Sequence, residues 1–118
     1  MSDVPSSYNS ADWIKGPALE AVKLNSISLL ADGHDGIIIV NFNGEYSAFQ
    51  NVCLHQGLPI HAGDLDPAGF LICPWHNWCY AVSDGACLTA SGAYLKQYLV
   101  RVEDDHIMVG RAFDNRMV

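Results

Sequence analysis

The most regular stretch of the chain is Ile37-Ile38-Ile39-Val40-Asn41-Phe42, followed by Asn43-Gly44 and then Glu45 through Val52, so that two β-branched and aromatic runs flank one polar pair. Asn and Gly both accept the positive φ angles of a type I′ turn, whose twist matches that of two paired strands, and the segment therefore predicts a β-hairpin. Between Leu19 and Leu30, apolar residues recur at near-alternate positions (Leu19, Ala21, Leu24, Ile27, Leu29) among Asn and Ser residues that disfavour a helix; two short strands are expected there. Farther along, Asp66-Pro67-Ala68-Gly69 leads into Phe70-Leu71-Ile72. Ser83-Asp84-Gly85 separates two short apolar runs, and Glu103-Asp104-Asp105 divides Tyr98–Val102 from His106–Val109. Turn signals at this density, with no helical window between them, predict an all-β chain arranged as an antiparallel β-sandwich or small barrel.

Residues 1–16, rich in Ser, Asp, Asn and Pro, read as a flexible N-terminal arm that Trp13 and Ile14 are able to dock. The whole chain, 118 residues with 50% hydrophobic and 16% charged, has the size and composition of one packed domain rather than a disordered segment. Thirteen acidic residues against six basic ones give a formal charge of −7. That sign repels nucleic acid and anionic membrane and favours a basic protein partner. The opening residues carry no basic start, apolar stretch or twin-Arg pair, and no apolar run approaches the roughly 20 residues needed to cross a bilayer, so a soluble cytoplasmic protein is expected. In a reducing compartment, four cysteines bind metal or remain thiols more often than they form structural disulfides.

Their spacing decides between those fates. Cys53-Leu54-His55 and, seventeen residues later, Cys73-Pro74-Trp75-His76 form CxH and CxxH, so each of two short segments offers one sulfur and one nitrogen ligand. Ordinary zinc fingers segregate their two cysteines and two histidines, whereas here each half is mixed. A two-iron cluster accounts for the mixture. Thiolates suit the iron that stays ferric, and neutral imidazoles suit the iron that is reduced; replacing two anionic ligands also raises the potential by lowering the cluster's negative charge. A mononuclear zinc site remains the competing reading of the same four residues.

Through Cys53-Leu54-His55-Gln56-Gly57 and Cys73-Pro74-Trp75-His76 the sequence resembles the Rieske [2Fe–2S] family, and in form the soluble Rieske ferredoxins of bacterial oxygenase systems. The resemblance implies one Rieske-type cluster per chain, bound by Cys53, His55, Cys73 and His76 on two loops at one tip of a β-sandwich or small barrel. It assigns residues 17–110 to the Rieske domain and 111–118 to a C-terminal tail.

Around these ligands, Gly57, Pro59 and Pro74 suit tight loops whose amides can face cluster sulfurs, while Gly63 is expected to serve folding alone. Leu54, Leu58, Ile60, Trp75 and Trp78 are candidates to shield the cluster from water, with plain packing the alternative for the two tryptophans. High-potential members of the family brace their loops with a disulfide; the corresponding places here are Leu58 and Trp75. The serine of those proteins is replaced by Trp78. Tyr80, by contrast, stands where they place a tyrosine whose hydroxyl bonds a ligand sulfur, which implies a potential in the upper part of the low Rieske class. Asn77, where the family usually has glycine, is the non-glycine type that best accepts left-handed geometry. Hairpin registers that pair Cys87 with Ala81 or Val82 leave Cys79 and Cys87 as free thiols. His34 and His106 read as solvated surface residues, and His61 lies outside a ligand set already complete.

No second pair of histidines with a carboxylate offers a mononuclear iron site, and no glycine-rich strand-turn-helix offers a nucleotide site. The expectation is thus a non-enzymatic, monomeric electron carrier. By resemblance it passes single electrons from a flavin-dependent reductase to a terminal oxygenase acting on aromatic or other hydrophobic substrates, docking transiently at the cluster tip. A small Rieske subunit of a reductase such as nitrite reductase, and a structural zinc module, are the alternatives.

Overall fold

The computed structural model describes residues 13–31, 34–55, 57–74, 77–90 and 92–113. Nine strands account for most of them: β1 (Ile14–Ala18), β2 (Ser26–Ala31), β3 (His34–Phe42), β4 (Glu45–Gln50), β5 (Asp64–Asp66), β6 (Phe70–Ile72), β7 (Cys79–Ala81), β8 (Gln97–Glu103) and β9 (His106–Phe113). Six form one antiparallel sheet in the order β1-β9-β8-β4-β3-β2, and β5, β6 and β7 form a second, three-stranded sheet. The large sheet curls until its edge strands touch: at Gly16 in β1 a Cβ would lie 3.1 Å from the Leu30 side chain of β2. The all-β antiparallel fold expected from the turn pattern is therefore present, as a curled half-barrel carrying a second small sheet. Among the described residues, no helix is long and apolar enough to cross a membrane.

The hairpin around Asn43-Gly44 forms as expected, with φ of 54° and 92° at the turn and Phe42 paired to Glu45. The Asp104-Asp105 turn closes β8 onto β9 in the same left-handed geometry without a glycine. The unbroken apolar run Ile37–Val40 reflects burial on both faces of β3. Ile38 and Val40 join Phe49, Cys53, Ile60, Leu71, Cys73, Tyr80, Cys87 and Leu95 in the core between the sheets, while Ile37 and Ile39 join Val22, Leu30, Ala48, Ile107 and Val109 inside the curl.

Three expectations need correction. Only one strand, β2, lies between Leu19 and Leu30; Leu19–Ala21 form a single 3-10 turn, closed by a bond from the Val22 amide to the Leu19 carbonyl. The other strand comes earlier, where Ile14–Ala18 pairs with β9, because Trp13 is buried beneath the Arg101 guanidinium, 4.4 Å above its ring. Residues 14–16 are thus strand rather than arm, and β9 likewise runs to Phe113 rather than yielding to a tail after residue 110. Third, Cys87 bridges to Tyr80, not to Ala81 or Val82, since the connection is one residue longer than an Ala81 pairing would leave, with the Ala81 amide bonded to the Ala86 carbonyl. That register still sends Cys79 and Cys87 to opposite faces, and both are free thiols.

The small sheet is inserted between β4 and β8, so its connections project from one end of the large sheet. Residues 51–63 link β4 to β5, and residues 73–78 link β6 to β7. These are the segments that carry the CxH and CxxH motifs.

Candidate metal centre

The two loops share one backbone design. In the first, the Cys53 amide donates to the Leu58 carbonyl at 2.7 Å and the Cys53 carbonyl accepts from the Gly57 amide at 2.7 Å. In the second, the Cys73 amide donates to the Trp78 carbonyl at 2.8 Å and the Cys73 carbonyl accepts from the Asn77 amide at 3.1 Å. The residue four places after each cysteine is left-handed, Gly57 at φ 73° and Asn77 at φ 60°. Asn replaces Gly there because its short polar side chain tolerates that region at small cost. The Gly57 and Asn77 amides are committed to the cysteine carbonyls, so their contribution is to shape the loops.

These brackets root both sulfurs in the core: Cys53 is 2% exposed and Cys73 1%. His55, two residues beyond Cys53, is exposed, as are Pro59 and Pro74, and Leu54 is 37% exposed. The expected shield is therefore divided. Ile60 is fully buried in the inter-sheet core and Leu58 half-buried, but Leu54 faces outward. Trp78 packs beside the same core and stacks on the His55 ring, centroids 4.7 Å apart and planes 20° from parallel. His76, with Trp75, lies outside the described residues.

Tyr80, completely buried on β7, reaches the first loop. Its hydroxyl oxygen is 2.9 Å from the Leu54 amide and 3.3 Å from Cys53 Sγ. A backbone amide only donates, so the oxygen accepts there, and its own proton would be directed at Cys53 Sγ were that sulfur a thiolate ligand. Burial, and then the bond to Cys53, push the Tyr80 phenol above its ordinary pKa, so it remains a neutral donor.

Two residues that the motif does not announce hold the first loop against its surroundings. Asn51, 4% exposed, accepts the Ile60 and His61 amides on Oδ1 at 2.7 and 2.9 Å, while its Nδ2 donates to His61 Nδ1 at 2.8 Å. His61 thereby serves loop closure. At Gly63, any Cβ would run into the Ile72 carbonyl oxygen and lie 3.0 Å from the Pro74 ring. Gly63 thus acts in folding, by permitting the first loop to pass against the root of the second. Neither role has a sequence signal beyond the residue type. His106, as expected, lies at the surface, its Nδ1 2.9 Å from the Asp104 carbonyl.

This donor set fits an iron–sulfur cluster. Two buried thiols on matched loops, one of them facing a neutral hydroxyl donor, provide a dry thiolate side, and an exposed imidazole provides a second side. Among the described residues no three His, Cys, Asp or Glu side chains converge on one point. A two-iron cluster, which takes two protein ligands per iron, does not require such convergence.

Comparison with known proteins agrees. The Rieske [2Fe-2S] domain family model matches residues 12–109. The ferredoxin component of an alkene monooxygenase system from Xanthobacter autotrophicus is 27% identical over 78 residues, 66% of this chain and 64% of that protein, so the match spans just under two thirds of the relative. In fold, the ferredoxin of carbazole 1,9a-dioxygenase from Nocardioides aromaticivorans IC177 superposes with a TM-score of 0.73 at 22% identity, covering 84% of this chain and 97% of that one. A chain in the complex of reduced oxygenase and oxidized ferredoxin in carbazole 1,9a-dioxygenase gives 0.72 at 21% identity, covering 84% and 93%. With matched cysteine loops, a donor set suited to the cluster and a family model that spans both sheets, the chain belongs to the Rieske [2Fe–2S] domain family and has the Rieske-type cluster as its cofactor.

Proposed function

We propose that the protein is a cytoplasmic, monomeric one-electron carrier whose cluster is held by Cys53, His55, Cys73 and His76 of its Rieske domain. It accepts electrons from a flavin-dependent reductase and delivers them to a terminal oxygenase acting on aromatic or other hydrophobic substrates. The observation that carries this reading is the asymmetry of the site, in which both cysteines lie within the core and His55 stands exposed at the tip.

Once bound, the cluster supplies reversible one-electron chemistry at a potential raised by its two neutral ligands. The chain's residues make that useful. Ile60, Leu71 and Tyr80 exclude water from the sulfur side, and the Tyr80 hydroxyl donates toward Cys53, favouring the more negative state. His55 gives a partner a short path to the site without opening the core. The absence of a disulfide among the described residues suits a reducing compartment. The likeness to the alkene monooxygenase ferredoxin supports an oxygenase as recipient, and the carbazole dioxygenase ferredoxins, similar in fold, support the substrate class.

The test is the visible absorption and low-temperature EPR of purified protein, oxidised and dithionite-reduced, with iron and sulfide analysis. A coloured protein with about two irons and two sulfides and a rhombic signal on reduction is expected, with Cys73→Ser and His76→Ala each abolishing the signal. Stoichiometric zinc in a colourless, anaerobically prepared protein overturns the reading. Turnover of a reductase–oxygenase pair that depends on added protein tests the carrier role.

A further inference from the structure

The His55–Trp78 stack joins residues that belong to different loops. Trp78 sits at the root of the second loop, its carbonyl accepting the Cys73 amide at 2.8 Å, and the next residue, Cys79, pairs with Ile72 of β6. The indole is therefore carried on a fixed, hydrogen-bonded platform. His55 occupies the exposed turn of the first loop, and its ring lies nearly parallel to the indole at 4.7 Å between centroids. Among the described residues, no disulfide spans the loops.

The backbone equivalence of the loops sharpens the point. The position five residues after the cysteine is Leu58 in the first loop and Trp78 in the second, so the two loops place different side chains on equivalent backbone. An imidazole on an exposed turn rotates broadly about χ2, because a terminal torsion onto a planar ring has only shallow preferences. An aliphatic neighbour covers such a ring without fixing its plane, whereas a flat aromatic face restricts it.

We propose that Trp78 is a positioning residue for His55, setting the plane of the imidazole and bracing the first loop against the second where a cross-link is absent. This rests on His55 being a cluster ligand, as argued above. The aromatic face, rather than apolar volume, is what the position requires.

Wild-type holoprotein, Trp78→Phe and Trp78→Met separate these possibilities. Pulsed EPR of the reduced protein reads the nitrogen couplings of the histidine ligands, and transfer of iron to a chelator reads how firmly the loops close. Trp78→Phe should keep both wild-type couplings. Trp78→Met should alter the coupling of one histidine nitrogen and release iron roughly 2- to 12-fold faster, the range an aromatic pair is worth. Wild-type couplings in Trp78→Met, or equal changes in both variants, overturn the proposal. If Trp78→Met assembles no cluster, Trp78→Phe decides: wild-type couplings sustain the proposal and altered ones overturn it. A wild-type protein without nitrogen-coupled rhombic EPR would instead refute the ligand assignment itself.

Discussion

The Tyr80 hydroxyl lies 3.3 Å from Cys53 Sγ while accepting the Leu54 amide at 2.9 Å, so one side chain from β7 fixes both the sulfur and the backbone that carries it. Because the bond to sulfur strengthens as negative charge accumulates, its removal disfavours reduction. Tyr80→Phe should lower the reduction potential by about 20–60 mV, one hydrogen bond of roughly 0.5–1.5 kcal/mol expressed for a single electron. Voltammetry of the two holoproteins measures this, and an unchanged potential removes the hydroxyl from the account.

Asn77 holds φ 60° in the second loop, where Gly57 holds 73° in the first. Asn77→Gly should therefore preserve cluster content and melting temperature. Asn77→Val places a β-branched side chain in the left-handed region and should destabilise the loop by about 1–2 kcal/mol, read as a lower denaturation midpoint and reduced iron content.

Removing the Asn51 side chain leaves the Ile60 and His61 amides without their acceptor, at a point where Ile60 is fully buried. Asn51→Ala should cost about 2–4 kcal/mol in chemical denaturation and accelerate cluster loss. Equal stability of the two proteins would show that loop closure does not depend on this side chain.

The chain carries a formal charge of −7, and Asp64 stands exposed on β5 opposite Ile72, immediately before the second cysteine. Electron transfer to a partner steered by this charge should slow as ionic strength rises, and Asp64→Asn should flatten that dependence. Stopped-flow rates across a salt series test both statements; salt-independent rates exclude steering.

Burial raises the pKa of Tyr98 on β8, so the folded chain holds that proton more tightly than the unfolded chain, whose phenol ionises near pH ~10. The contribution is present in full below that pH and is lost as pH rises through it toward the folded value, because the unfolded state gives up its proton first. Tyr98→Phe should show a shallower fall in melting temperature above about pH 10. Parallel curves for the two proteins would exclude it.

Strand identity was legible wherever local rules act alone. Asn43-Gly44 and Asp104-Asp105 encode their turns through residues that accept positive φ, and the Cys-His spacing announces a mixed ligand set. Leu19–Leu30 misled because its near-alternate apolar positions do not share a buried face: Leu24 is 64% exposed and Leu19–Ala21 form a 3-10 turn, while the residues that enter the core, Val22 and Leu30, lie outside that pattern. Trp13 and Ile14 sit in a polar, arm-like sequence, yet they are ordered by β9 and Arg101, partners some ninety residues away.

By itself, then, the sequence determined the all-β class, the hairpin and the two Cys-His loops, since each depends on residue type at short range; the tyrosine aimed at sulfur was legible only through the family resemblance, because it meets Cys53 across 27 residues of chain. The tertiary structure alone decided what joins the loops. Asn51 reaching Ile60, Gly63 passing the root of the second loop and Trp78 lying on His55 arise only when a small sheet inserted between β4 and β8 folds its two connections together. No local pattern encodes such meetings, because the residues involved are set side by side by sheet pairing and core burial rather than by their neighbours in the chain.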